Sequence, residues 1–546
     1  MNLFYKSFLL GCGLALLSLH LIAQSGYPAL SEIPENPGHS PIFGNDIIIN
    51  DEPNENQDRV ALCSAYNGWL YSIYTYNKNG SDYLAIVQST NNGISWTVLY
   101  DEIGTGFPNL RIEKIDAVVL GNSVPTLKIF LGLLFHDTIY NTKFAYLSPF
   151  NINTLFFEDQ LLPLPTSALI KDIAIASDNI FPATNSDPNS LGAVCSLKGV
   201  YDSIVFYSSS NGGISLDSKV YMASTSKHFG KVALAYGRSP SYPEGRYFAA
   251  WEEKENESSA VGHLYTAHSE PYFNSQFTSP VVVDSLDSTT INLVRNPVIS
   301  CQSSDADNNN ANLTEVILFE KQVPGENRFD IAGVFNLQAA STSNFQQLSF
   351  DTIPHNKLQP DINFNPFDST FMATFYDSTL QKLPLVKNSF NITNTGSWDI
   401  VTPGYNDDGN LSSPRPKVKL NYGNHLRAVT WKSDRADKTG QAMFDAQYIY
   451  YTGIPGNQQV YGSNYFHVYP NPCSDKVTFE IDLNNSERGN IEISDLTGRA
   501  VHKIPDQIFP EGKSKMTIDV LNYSPGCYFY LFKCNDFSIS GKLIIK

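Results

Sequence analysis

Basic residues are in short supply. Lysine and arginine number 37 against 54 aspartates and glutamates, which leaves a formal charge of −17 at neutral pH. A phosphate backbone needs a positive face, so this balance excludes nucleic acid as the partner. Charge of either sign is sparse, at 17% of residues. Runs of Ala, Glu, Lys and Leu with a 3.6-residue period are missing, which excludes a mainly helical protein. Beyond residue 23 no stretch is apolar enough for a membrane helix. The 10 histidines and 7 cysteines show neither HExxH nor CxxC, so the familiar zinc spacings are absent. There is no phosphate-cradling glycine loop and no GxSxG nucleophile elbow.

Aromatics are abundant instead: 30 Tyr and 33 Phe lift the aromatic share to 12%. Together with many Asn, Ser, Gly and Pro residues, this describes an all-β chain with many turns. At 546 residues it is long enough for a large, repeat-built core.

The first 24 residues read as an export signal. Lys6 supplies the positive start, residues 8–22 are almost wholly apolar, and the small Ala23 ends the run. Cleavage is expected near Ala23 or Gln24. Six cysteines then remain: Cys63, Cys195, Cys301, Cys473, Cys527 and Cys534. The first three sit in apolar β-like runs and read as buried thiols. Cys527 and Cys534 are close enough in sequence to bridge a hairpin. Residues 25–57 form a Pro- and Asn-rich leader, interrupted at 45–50 by a short apolar run suited to closing a sheet edge.

Internal repetition organises residues 58–453. Short first strands open near Arg59, Arg111, Asp172, Lys231, Arg295, Gln359 and Arg415. Several are followed by a second, more aromatic strand, such as Phe248-Ala-Ala-Trp251 and Arg427-Ala-Val-Thr-Trp431. Recurrence about every 50 to 60 residues points to four-stranded meanders arranged as blades. The expected fold class is therefore all-β: a seven-bladed β-propeller, with a two-sheet sandwich as the competing arrangement. Residues 454–465, rich in Gly, Gln and Asn, read as a linker. A different alternating pattern over 466–546 predicts a small Ig-like β-sandwich.

Two turns repeat in detail. Ser89-x-Asn91-x-Gly93-x-x-Trp96 is matched by Ser209-x-Asn211-x-Gly213-x-x-Leu216. The Asx side chain can cap backbone amides, and glycine can take a positive φ. The pattern resembles the Asp-box (BNR) turn of sialidase-like propellers, with Asn in place of the usual Asp and Leu216 in place of the second Trp. Such turns are structural. The resemblance implies, for an enzyme, an arginine cluster that holds a substrate carboxylate, a Tyr–Glu nucleophile pair and an Asp acid–base. Arg59, Arg111, Arg295 and Arg415, each near the start of a first strand, are the ligand-binding candidates. The family's Arg-Ile-Pro motif is missing, and no Tyr–Glu pair stands out. The expectation is a binding protein for a glycan or protein ligand, without catalysis. A sialidase-like glycoside hydrolase and a structural surface-layer or matrix component are the alternatives.

No cofactor is expected. Asp305-Ala-Asp307-Asn-Asn309 opens like a calcium loop, but Asn310 replaces the turn glycine; Asn406-Asp-Asp-Gly409 fits a plain turn equally well. Asp137-Thr-Ile, Asp202-Ser-Ile and Asp377-Ser-Thr are similar to a bacterial O-glycosylation sequon, and they also suit turns.

The C-terminal stretch carries four ordered motifs: Tyr469-Pro470-Asn471-Pro472, Asp495-Leu-Thr-Gly498-Arg499, Pro525-Gly526-Cys-Tyr-Phe, and Lys542 to Lys546. It closely resembles the type A C-terminal sorting domain of the type IX (Por) secretion system. The resemblance implies passage through the type IX translocon of a Gram-negative outer membrane, recognition by its sorting machinery, and either anchoring to surface lipopolysaccharide or release.

Overall fold

The computed structural model describes residues 47–546 apart from short segments, the longest being 159–168, 178–189, 285–292, 303–312, 389–397, 434–442 and 450–457. The expected export signal and most of the leader lie outside the described residues. The chain divides into two compact units, Asn45–Ile449 and Tyr450–Lys546.

In the larger unit the described strands form seven four-stranded antiparallel sheets. Sheet one is a simple meander of Asn56–Ser64, Leu70–Lys78, Ser81–Ser89 and Thr97–Gly104. The inner strands of sheets two to seven are Leu110–Leu120, Leu169–Ser177, His228–Ser239, Val294–Cys301, Lys357–Asn365 and Lys417–Asn421. Each inner strand contacts the next, and the seventh contacts the first, so the ring closes as in a β-propeller. Sheet seven takes three strands from residues 417–449. Its fourth is Ile47–Ile48, which pairs with Ala446 and Asp445 and covers what would be an open edge.

The second strands show why their sequence is continuously apolar rather than alternating. Each is packed on both faces by neighbouring sheets. In sheet four, Tyr247, Ala249 and Trp251 enter the core shared with sheet three, while Phe248 and Ala250 enter the core shared with sheet five. Equivalent cores join sheets one and two around Tyr71, Leu131 and Phe150, and sheets two and three around Phe130, Leu147 and Val205. Each of the larger side chains, such as Leu131, Phe150 or Phe248, contributes about 1.5–3 kcal/mol by leaving water.

Polar staples supplement this packing. Inner strands of neighbouring sheets do not pair with one another, so some of their amides need other acceptors. Carboxylates supply them at every boundary from sheet one to sheet seven. Asp82 accepts from the Ile112 amide (2.8 Å), Asp116 from Ile175 (2.9 Å) and Asp172 from Val232 (2.9 Å). Glu252 accepts from Asn296 (2.6 Å), Glu320 from Gln359 (2.8 Å) and Asp361 from Val418 (2.8 Å).

The smaller unit holds two further four-stranded sheets. One orders Gln458–Tyr461, Asn464–Tyr469, Lys476–Leu483 and Gly512–Asp519; the other orders Ala500–Phe509, Glu487–Ser494, Gly526–Cys534 and Ser538–Ile545. Val477, Phe479 and Ile481 from the first meet Ile491, Tyr530 and Phe532 from the second in one core. The chain end is tied in by the Lys546 amide, which donates to the Cys473 carbonyl at 2.8 Å.

Candidate functional site

A defect in strand pairing recurs near the start of the inner strands. Register shifts fall between Gln57 and Val60, Ile112 and Lys114, Ile170 and Asp172, Phe229 and Val232, Arg295 and Val298, and Leu358 and Asp361. These bulges re-aim the side chains of the residues they insert. Pro297 and Pro360 occupy two of them, where no ladder amide is needed. Asn296, Gln359 and Arg415 carry the positive φ values, 55°, 55° and 51°, that such turns demand. The inserted residues Arg59, Glu113, Lys171, Lys231, Asn296 and Gln359, with Arg415 ahead of the unbulged seventh inner strand, line one end of the central channel.

That end opens into a cavity of about 580 Å³. Its walls are unexpectedly cationic for so acidic a chain. Most of the charges are spoken for. Lys114 pairs with Asp172 (2.9 Å), Lys171 with Asp202 (2.5 Å), Lys417 with Asp361 (3.2 Å) and Lys143 with Glu113 (2.5 Å). Arg59 and Arg415 share Asp58, at 3.3 and 3.1 Å. Among the described residues the ammonium groups of Lys231 and Lys419 have no ion-pair partner. Desolvation by the surrounding channel walls pushes the Lys231 ammonium below the ordinary lysine range, although the residue stays exposed to the cavity; nearby Lys114 adds to this, while Asp172, Glu252 and Glu320 oppose it. For Lys417 the same desolvation is outweighed by Asp361 and Asp116, which hold its ammonium above that range. Deeper in, a second cavity of about 150 Å³ is lined by groups including Cys63, Tyr236, Cys301 and Phe364, and Lys419 borders both.

Of the four arginines singled out from sequence, two come together. Arg59 and Arg415 meet at the cavity through Asp58. Arg111 instead bonds Asp82 at 2.9 Å, and Arg295 bonds Glu320 at 2.7 Å with its guanidinium 3.8 Å from the centre of the Phe329 ring. Both are absent from the cavity wall. They precede the bulges of their strands, and the inserted residues break the simple alternation that would have aimed them inward. The sequence reading did not single out Lys114, Lys417 or Lys419. The available signal was a lysine inside an otherwise apolar first strand.

The two repeated turns lie at the other end of the channel, since they join third strands to fourth. In the first, Asn91 Oδ1 accepts from the Ser95 amide (3.0 Å) and its Nδ2 donates to Ser95 Oγ (2.8 Å). Ser89 Oγ accepts from the Gly93 amide, and Gly93 has a φ of 71°. The second repeats the pattern: Asn211 Oδ1 accepts from Ser215 (3.1 Å), and Ser209 Oγ accepts from Gly213 (3.1 Å), whose φ is 72°. Trp96 and Leu216 pack beneath their turns against buried cores.

Cys63, Cys195, Cys301 and Cys473 are buried free thiols, and burial pushes Cys195 up to about 12. The side chains of Cys527 and Cys534 lie outside the described residues. So does the 305–309 segment. Asn406 serves a turn, accepting from the Leu383 amide at 2.9 Å, while 407–409 fall outside. Among the described residues no three His, Cys, Asp or Glu side chains gather as a metal site would require. Asp137 caps the Ile139 and Tyr140 amides, and Asp377 caps those of Thr379 and Leu380. Asp202 serves a staple, bonding Lys171 and the Phe229 amide.

In the smaller unit Tyr469 donates to Glu480 at 2.8 Å, and Arg499 closes its turn on Asp495 at 3.2 Å. Gly526 opens the third strand of the second sheet, and Lys542 lies opposite Phe529 in the fourth. Lys546 is the exposed last residue. Pro470, Asn471, Pro472 and Gly498 lie outside the described residues.

Comparison with known proteins gives one family. Residues 467–546 match the model of the secretion system C-terminal sorting domain, the Por secretion tail. This tail marks the chain for secretion, to the cell surface or the extracellular space. No curated protein matches the chain. Among solved structures, the GH93 α-L-arabinofuranosidase of Fusarium graminearum is similar at 10% identity, covering 74% of this chain and 98% of its own, with a TM-score of 0.40. The phage phi92 endosialidase is similar at 11% identity, covering 78% and 72%, with a TM-score of 0.40. The NanB sialidase of Streptococcus pneumoniae is similar at 12%, covering 77% and 72%, with a TM-score of 0.35. Likenesses this coarse carry no statement about chemistry.

Proposed function

We propose that the protein is a secreted or cell-surface-anchored binding protein, exported by the type IX system, which takes a glycan or protein ligand at the channel mouth without turning it over. The passenger, residues 58–453, is read as a seven-bladed propeller closed by the leader strand, with Asp-box-like turns at the far end. The linker at 454–465 leads to an Ig-like sorting domain at 466–546. The translocon and its sorting machinery are the partners in export, and surface lipopolysaccharide is the anchor if the processed protein stays on the cell.

One observation carries the binding reading. The carboxylates Asp116, Asp172 and Asp361 in the channel wall all accept backbone amides of the next sheet. They are committed to holding the ring together, which suits them poorly to proton transfer in a glycosidase. Glu113, the carboxylate at the mouth itself, is held between Lys143 and His136, so the groups left over there are cations and uncharged bulge side chains on a rigid frame, an arrangement suited to recognition.

The test is a panel of neutral and acidic oligosaccharides, sialosides included, presented to the full secreted protein with both binding and products measured. Saturable binding without products is expected. Product formation abolished by Arg415→Ala would overturn the reading and install a glycoside hydrolase.

A further inference from the structure

Charge in this molecule is distributed against its overall sign. The chain carries −17, yet the large cavity has a cationic excess. Arg59 and Arg415 have one aspartate between them, and Lys231 and Lys419 have no ion-pair partner among the described residues. Asp116, the remaining carboxylate of the wall, is engaged with the amides of Ala117 and Ile175 at 3.0 and 2.9 Å. Lys231 is exposed to the cavity and Lys419 half-buried, so neither ammonium is spent on packing a core and both are open to a ligand.

Position sharpens the point. Lys231 sits on a bulge, where its side chain is aimed into the channel rather than into a core. Its neighbour Lys114 reaches the same place, with its ammonium 3.4 Å from the Val232 carbonyl and 2.9 Å from Asp172. Lys419 follows Lys417 by two residues on the seventh inner strand, so both face the channel at successive depths. The cations therefore run from the rim, at Arg59 and Arg415, down to the point where the two cavities meet. The walls are low in dielectric, which concentrates this field.

Building on the reading of the channel mouth as a ligand site, we propose that the channel is an oxyanion site, in which Lys231 and Lys419 hold a carboxylate, sulfate or phosphate group of the ligand while Arg59 and Arg415 guide it in. The anion supplies the missing counter-charge, and ammonium–oxyanion hydrogen bonds replace channel water.

The experiment uses the full secreted protein with inorganic sulfate and phosphate at constant ionic strength, chloride making up the balance. Lysine acetylation by an activated ester, read peptide by peptide, reports occupancy. Sulfate or phosphate is expected to protect Lys231 and Lys419 and to leave Lys198, which pairs with Glu257 outside the channel, as reactive as before. Lys231→Met and Lys419→Met, which keep the aliphatic stem, are expected to weaken calorimetric binding about tenfold each. Glucuronate, galactose 6-sulfate and glucose 6-phosphate, each against its neutral parent sugar, then identify which oxyanion is preferred. Equal protection of Lys198, no protection at all, or unchanged affinity in Lys231→Met overturns the proposal. The protection readout needs no variant, so a substitution that fails to fold leaves the test intact. If a neutral ligand binds wild type and Lys231→Met alike but is lost in Arg415→Ala, the oxyanion site fails and the mouth remains the ligand site. If no ligand responds to Arg415→Ala, the mouth reading itself fails.

Discussion

At the scale of single residues, the chain uses carboxylates in two different ways. Asp172 is almost fully buried and accepts both the Lys114 ammonium and the Val232 amide. Asp172→Ala would leave both donors unanswered, and a loss of about 3 kcal/mol in urea-unfolding stability is expected. Lys231→Met should be close to neutral in the same assay, because Lys231 is exposed and makes no ion pair among the described residues. Glu315 is the second kind: fully enclosed, with Thr266 Oγ1 donating to it at 2.9 Å, its carboxyl is pushed by burial up to about 8. A carboxyl held this high in the folded state costs stability once it ionises. Its contribution is intact below the ordinary carboxylate range and is lost as pH rises through about 8, at no more than about 1.4 kcal/mol per pH unit for one proton. Glu315→Gln is expected to flatten that decline in unfolding free energy between pH 5 and 8. An unchanged slope would show that Glu315 stays neutral or is better solvated than its surroundings imply.

At the scale of elements, legibility in the sequence follows from how each strand is buried. Second strands such as Phe248-Ala-Ala-Trp251 were recognisable because both faces meet a core, which demands an unbroken apolar run. The Asn91 and Asn211 turns were recognisable because their hydrogen bonds are local. Inner strands were located at Arg59, Lys231 and Gln359, but which way their side chains point was not legible. A bulge inserts residues that period-two counting cannot anticipate, which is why Arg111 and Arg295 looked like channel residues and sit in ion pairs instead. The partners that capture them, Asp82 and Glu320, lie 29 and 25 residues away. Three element-scale outcomes follow. Asn211→Ala removes the cap of one turn and should cost about 1 kcal/mol. Gly213→Ala should cost more, since its φ is 72° and an added Cβ would stand 2.3 Å from the Phe130 ring; thermal unfolding of the two variants side by side checks the order. Removing residues 25–50 uncovers the edge of Met443–Ile449, and self-association by size-exclusion chromatography is the expected result.

At the scale of the whole molecule, export and recognition are written in different units. Four short motifs were enough to reveal the sorting tail, because a tail read by machinery keeps its signal in sequence order. The proposed ligand site had no such signature, since the channel mouth is assembled from seven strands spread over more than 350 residues, about two-thirds of the chain. Deleting residues 467–546 is expected to abolish secretion while leaving the ring of sheets folded. The central claim is that the bulged end of the channel is where a ligand is held. Hydrogen–deuterium exchange of the full secreted protein, with and without a ligand found in the oligosaccharide panel, tests it most directly. Slowed exchange is predicted at the bulges around Arg59, Lys231, Asn296 and Gln359 and in the approach to Arg415. Protection confined to the opposite end, at the Asn91 and Asn211 turns, would contradict it.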